Sequence, residues 1–205
     1  MTSSTPRETR AWQRMLSGRR LDLLDPSPLD VELSDIAHGL ARVARWNGQT
    51  RGDHAFSVAQ HSLVVEEIFR RHNPGARTAD LQMSLLHDAP EYVIGDMISP
   101  FKAVVGGGYK VVEKRLEAAI HIRFGLPPHP TATLKAAIKR ADTVAAYFEA
   151  TELAGFTAAE ARKFFGQPRG ISPEMLEMTP MPAIEAQEKF ATRFEAIEAL
   201  RNRKP

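Results

Sequence analysis

The sequence contains no cysteine. That removes disulfides, thiolate nucleophiles and thiolate-held zinc from consideration, and it fits a reducing compartment. No apolar run approaches the ~18 residues that a membrane span requires, and the arginine-bearing start lacks the apolar core of a secretory signal, so a cytoplasmic location is expected. Charge of one sign is not in excess. The net charge is +2, and no basic stretch is interleaved with aromatic residues, so stable nucleic-acid binding is not expected. Sustained alternation of apolar and polar residues is also missing, which argues against a sheet as the main element. No internal repeat is present.

What remains is an ordinary globular composition. The chain has 205 residues, 43% hydrophobic and 25% charged, enough for one domain with a sizeable core. Apolar residues recur at helical spacing in six segments. Ser34 to about Trp46 carries Ile36, Leu40 and Val43, and Asn47-Gly48 stops it. Ala55 to Arg71 carries Phe56, Ala59, Leu63 and Ile68, and Ala79 to Asp88 carries Leu81, Leu85 and Leu86. Tyr109 to Phe124 is closed by Gly125 and the following prolines, Thr133 to Leu153 carries Ile138, Ala141, Ala145 and Phe148, and Ala183 to Arg201 carries Phe190, Phe194, Ile197 and Leu200. The pattern predicts an all-α fold. Residues 1–33 read as an irregular N-terminal arm, with a short helix around Trp12, Met15 and Leu16 and an extended path into Pro26 and Pro28. Residues 34–205 form the domain proper, on which the arm packs unless it reaches a second subunit. Residues 156–182 carry glycines and prolines that predict turns and short helix. Gly106-Gly107-Gly108 reads as a joint; it lacks the Gly-Lys-Ser/Thr of a phosphate loop and the strand that a dinucleotide fingerprint needs.

The chemistry centres on Leu85-Leu86-His87-Asp88-Ala89-Pro90-Glu91. An imidazole and a carboxylate stand side by side where proline opens the helix, and together they suit a divalent ion such as Mn, Fe, Co, Ni or Zn. On its own such a pair is most often a solvated helix end. Other residues give it context. His61 interrupts the apolar face of its helix; His54, seven residues earlier, is a competing candidate ranked below it. Asp142 sits beside an apolar stripe, where a carboxylate is costly unless it is paired or holds a metal, and Lys139 or Arg140 is the plain alternative partner. Glu91 and Asp96 follow the His-Asp pair closely. His72 reads as a helix C-terminal cation, and His121 and His129 as surface residues.

The ordered set His61, His87-Asp88, Asp142 resembles the HD superfamily of metal-dependent phosphohydrolases, whose pattern is H…HD…D on a helical bundle. Ala44-Arg45-Trp46-Asn47, Val58-Ala59-Gln60-His61-Ser62-Leu63, Leu86-His87-Asp88-Ala89-Pro90-Glu91, Ile94 through Lys102, and Ile138-Lys139-Arg140-Ala141-Asp142 are similar to the branch that contains bacterial 5′-deoxynucleotidases. The likeness covers roughly residues 34–155; the arm and the short separation of His61 from His87 depart from the branch. The resemblance implies His61, His87, Asp88 and Asp142 as ligands of one divalent transition metal ion. Glu91 and Asp96 would be the acids that position or deprotonate water, and Arg45, Trp46, Ser99 and Lys102 would contact the substrate. It implies a phosphoric monoester hydrolase acting on a nucleoside 5′-monophosphate, with a homodimer as the expected assembly. The alternatives are hydrolysis of a nucleoside triphosphate or guanosine alarmone, and a nucleotide-sensing module without catalysis.

Overall fold

The computed structural model describes residues 10–98 and 108–203. Among them are eight α-helices and two short strands, so the all-α expectation holds. The helices are α1 (Leu33–Leu40), α2 (Val58–His72), α3 (Thr78–Leu85), α4 (Glu91–Ile94), α5 (Gly108–Arg123), α6 (Ala132–Phe148), α7 (Ala158–Phe165) and α8 (Ala183–Asn202). None of them is long and apolar enough to cross a membrane.

The bundle is organised around α2. Ser57 caps it by accepting from Gln60 N–H, and ten of its fifteen residues are buried. A helix buried on that many sides must be packed from several directions: α3, α6 and α8 all lie against it. Phe56, Ile68 and Phe69 of this central layer meet Leu85, Ile138, Ala145, Phe190 and Phe194 in one continuous core. Two buried polar residues of α2, Gln60 and Glu66, are partnered across the bundle. Buried Glu66 accepts both edges of the Arg193 guanidinium, at 2.8 and 2.6 Å, the bidentate geometry that arginine favours.

Three sequence expectations give way here. The segment around Trp12 is a hairpin, not a helix: β1 (Trp12–Arg14) pairs antiparallel with β2 (Arg20–Asp22), Gln13 opposite Leu21. Gly18 turns the chain at φ +90, a conformation open to glycine, and Leu21 goes fully into the core. The arm is thereby packed on the body of the domain, with Arg115 of α5 donating to Leu24 O at 2.5 Å. The first helix ends at Leu40, and Arg45–Gly48 forms a separate tight turn. The third helix ends at Leu85, so His87 and Asp88 stand in the turn that leads to α4. Helix α4 lies very close to α1: a Cβ on Gly39 would fall 2.8 Å from Tyr92 Cβ and from Tyr92 O.

Candidate metal centre

The first element of the site is α2 itself. His61 lies one turn inside the helix and is fully buried. Its Nδ1 hydrogen-bonds Glu149 Oε1, which leaves Nε2 directed elsewhere. His54 stands on an exposed bend before the helix begins, so the ranking of the two histidines is decided by burial.

His87 enters from the turn after α3. Its Nδ1 lies 2.9 Å from Ser84 O. A carbonyl can only accept, so Nδ1 donates to it and Nε2 is the nitrogen that faces the cluster. The two rings are tilted, with centroids 5.2 Å apart. Their Nε2 atoms lie 3.4 Å (His61) and 3.2 Å (His87) from Asp88 Oδ2. Both are buried, and neither makes a hydrogen bond of proper geometry. Asp142 Oδ1, from α6, is 3.4 Å from His61 Nε2, while its Oδ2 accepts from Lys139 Nζ at 2.6 Å. The two readings of Asp142 are therefore both on the structure: a lysine partner on one oxygen, the histidine cluster on the other.

His61, His87 and Asp88 can hold a metal ion: one donor atom from each lies within 4.8 Å of the others. Buried imidazole nitrogens left without an aligned partner are rare, because each forfeits its hydration. A cation between them would take up both lone pairs and the adjacent carboxylates. Burial acts to raise the pKa of Asp88 and of Asp142, but the imidazoles beside them hold both carboxyls below the usual range. The site presents anions to whatever it binds.

A cavity of about 290 Å³ opens from this cluster. His87, Asp88, Asp142 and Glu91 form part of its wall, and Lys114, Lys135 and Lys139 another part. Glu91 is buried at the start of α4. His121, expected at the surface, is only 2% exposed. Its Nδ1 is bonded to Pro128 O at 3.1 Å, where the chain folds back under α5, and its ring lines the same cavity. His129 stays outside, with its side chain 59% exposed. His72 ends α2 as expected, with Nε2 3.1 Å from Arg169 O.

Arg45, Trp46 and Asp96 lie on the other side of His61. Ala44 bridges to Ser57, and Arg45 N–H donates to Phe56 O at 2.8 Å, which ties this turn to the head of α2. Arg45 Nη1 donates to Asp96 Oδ2 at 2.9 Å, and its Nε lies 3.4 Å from Glu149 Oε2. Trp46 Nε1–H donates to the same Glu149 oxygen at 2.8 Å. The indole also meets Phe156 and Phe165, at 5.7 and 6.2 Å between centroids. Trp46 and Asn47 both have left-handed backbones, φ 55 and φ 51, a conformation that costs a side-chain-bearing residue roughly 1–2 kcal/mol. Ser99 and Lys102 lie outside the described residues.

No family model matches the sequence. It does match an uncharacterized protein of Rhodobacter capsulatus, 57% identical over 188 residues, covering 92% of this chain and 96% of that protein. This chain belongs to that protein's family. The uncharacterized protein YfdR of Escherichia coli K12 is 28% identical over 173 residues, 84% of this chain and 87% of YfdR. Neither relative's name carries an activity, so the chemistry of the family has to be read from the site.

Glu149 is the residue that sequence reasoning missed. It is fully buried, and it begins the π-helical turn Glu149–Leu153 that continues α6. The signal was present: Glu149 interrupts the apolar run Tyr147-Phe148-Glu149-Ala150 seven residues after Asp142, on the same helical face. Like Asp142, it is a carboxylate against an apolar face, costly there unless paired or bound to a metal.

Proposed function

We propose that this chain is a metal-dependent phosphohydrolase of the HD type, releasing inorganic phosphate from a nucleoside 5′-monophosphate. The observation that carries the proposal is the meeting of His61 Nε2 and His87 Nε2, both buried and without an aligned hydrogen bond, at Asp88. Asp142 lies against them, and a carboxylate and lysines share the cavity wall beyond. Two imidazoles and two carboxylates suit one divalent transition ion, Mn, Fe, Co, Ni or Zn, with positions left for water and a phosphate oxygen. When bound, such an ion supplies Lewis acidity, easing deprotonation of water and drawing charge from the phosphoryl group.

The chain's own residues supply the rest. Glu91, on the cavity wall beside His87 and Asp88, takes the proton of the attacking water as general base. Lys114, Lys135 and Lys139 offset the charge of the phosphate oxygens. The new bond runs from water oxygen to phosphorus, the ester P–O bond breaks, and the leaving oxygen takes the proton that Glu91 received, becoming an alcohol. Three lysines among the lining residues, beside Glu113 and Glu117, also suit a longer phosphate chain, so a nucleoside triphosphate is the second reading.

Metal analysis and phosphate release test the proposal together. Purified or reconstituted protein should hold about one ion per chain and release phosphate across a panel of ribo- and deoxyribonucleoside monophosphates more readily than from triphosphates. Glu91→Gln should retain the ion and lose about 10²-fold or more in rate. A site that stays empty after reconstitution, or a loaded protein inert on the whole panel, would overturn it.

A further inference from the structure

We infer that Glu149 is the positioning residue of the metal centre, and that Arg45 and Trp46 act through Glu149 instead of gripping the substrate. The inference rests on the metal-binding half of the proposed function and is independent of the hydrolytic half.

A carboxylate with no solvent contact must be repaid by donors, and Glu149 is fully buried. Its oxygens have three of them, each from a different group: His61 Nδ1, Trp46 Nε1–H and Arg45 Nε–H. A purely structural acid would not need to select one nitrogen of a histidine. Glu149 does: by accepting from Nδ1–H it fixes the ring orientation and leaves Nε2 facing the cluster at Asp88 and Asp142. An acceptor behind a ligating imidazole also raises its basicity toward a metal.

Two further observations are independent of that bond. Glu149 opens a π-helical turn, an element that is rare and recurs at functional sites. Trp46 adopts the left-handed backbone that bulky side chains avoid, and in that conformation its indole N–H reaches Glu149 while its ring packs on Phe156 and Phe165. Arg45 completes the device. With its side chain 14% exposed, it lies between Glu149 and Asp96 and uses two edges of its fork on them. That geometry spans two carboxylates, and a lysine ammonium would not reproduce it. A line of contacts therefore runs His61–Glu149–Arg45–Asp96, from a candidate ligand to a candidate acid.

The test uses Co²⁺ alone, titrated into the full chain after chelation and followed by calorimetry and the visible Co²⁺ spectrum. Glu149→Gln should weaken Co²⁺ binding 10- to 100-fold. Trp46→Phe keeps the ring on its aromatic neighbours and removes only the N–H; it should weaken binding by about 3- to 10-fold, and it decides the matter should Glu149→Gln fail to fold. In the Zn²⁺-loaded protein, ¹⁵N shifts of the His61 ring should show a protonated Nδ1 whose exchange quickens in both variants, a change that loss of packing alone would not produce. Co²⁺ affinity within twofold of wild type in Trp46→Phe and in folded Glu149→Gln would overturn the inference. Wild-type protein that takes up no Co²⁺ would overturn both this inference and the proposed function. Normal uptake and the expected losses, with no phosphate released from any nucleotide, would leave Glu149 in its role and remove only the hydrolase.

Discussion

Acidifying the metal-free protein should break the Glu149 network at a definite point. Burial acts to raise the Glu149 pKa, but the His61 and Arg45 charges and the donors from His61 and Trp46 outweigh it and hold the carboxyl at about 2, against an ordinary 4.5. A depressed folded-state pKa contributes stability that is fully present above the unfolded value and disappears as pH falls through the folded one. The window is therefore pH 4.5 down to about 2. At about 1.4 kcal/mol per pH unit, a window of roughly two and a half units corresponds to about 3 kcal/mol. Burial and the Arg45 charge act to lower the His61 pKa, but Glu149, with Asp142 and Asp88, holds it above the ordinary value; the His61–Glu149 part of that shift is the same interaction seen from the other side and is counted once. Urea unfolding in chelator, at several pH values from about 6 to 2.5, measures the effect in wild type and in Glu149→Gln. Other carboxylates, Asp88 and Asp142 among them, give a slope of the same sign in both proteins. The wild type should lose most of that additional 3 kcal/mol relative to the variant across the window. Parallel curves would show that Glu149 is not held ionised by these neighbours, and the reasoning would fail.

Two other perturbations address ligation and packing. At about 100 times its Kd, a metal that binds only the folded chain should add about 2.7 kcal/mol, or roughly 5–11 °C in Tm for a chain of this size; His87→Ala should abolish that increment in a thermal melt, and an increment that survives would remove His87 from the site. Gly39→Ala places a methyl 2.8 Å from Tyr92 Cβ and O, so it should force α1 from α4 and cost about 1–3 kcal/mol, and an unchanged urea midpoint would contradict the close approach of these helices.

Local chemistry made much of the molecule legible in its sequence. Helical periodicity is a property of neighbours three and four residues apart, so Ile36 and Leu40, or Phe190, Phe194 and Ile197, could be assigned to a buried face before any fold was known, and they are buried. Boundaries were less legible. Leu33–Leu40 and Thr78–Leu85 are each shorter than their apolar stripes imply, since tertiary contacts can bury the residues beyond a helix end as well as those within it. The hairpin at Trp12 escaped for a related reason. Its register depends on the Gly18 turn and on Leu21 finding the core, and neither is written in the spacing of Trp12, Met15 and Leu16.

The site divides along the same line. Residue type marks His61, His87, Asp88 and Asp142 as candidates, because imidazole and carboxylate in apolar surroundings need a partner or a cation, and it was the ordered H…HD…D resemblance that grouped them. Which partner each one meets is a matter of distance in space. His61 and Glu149 are 88 residues apart, and Arg45 and Asp96 are 51 apart. No local pattern distinguishes an arginine that reaches a phosphate from one enclosed by two carboxylates, or a surface histidine from His121 tucked beneath Pro128. Those assignments depend on desolvation, which acts on a group only after the helices have closed around it. The sequence by itself determined which side chains can bind an ion; the packing of α2 against α3 and α6 decided that His61, His87, Asp88 and Asp142 meet, and set Glu149 behind them.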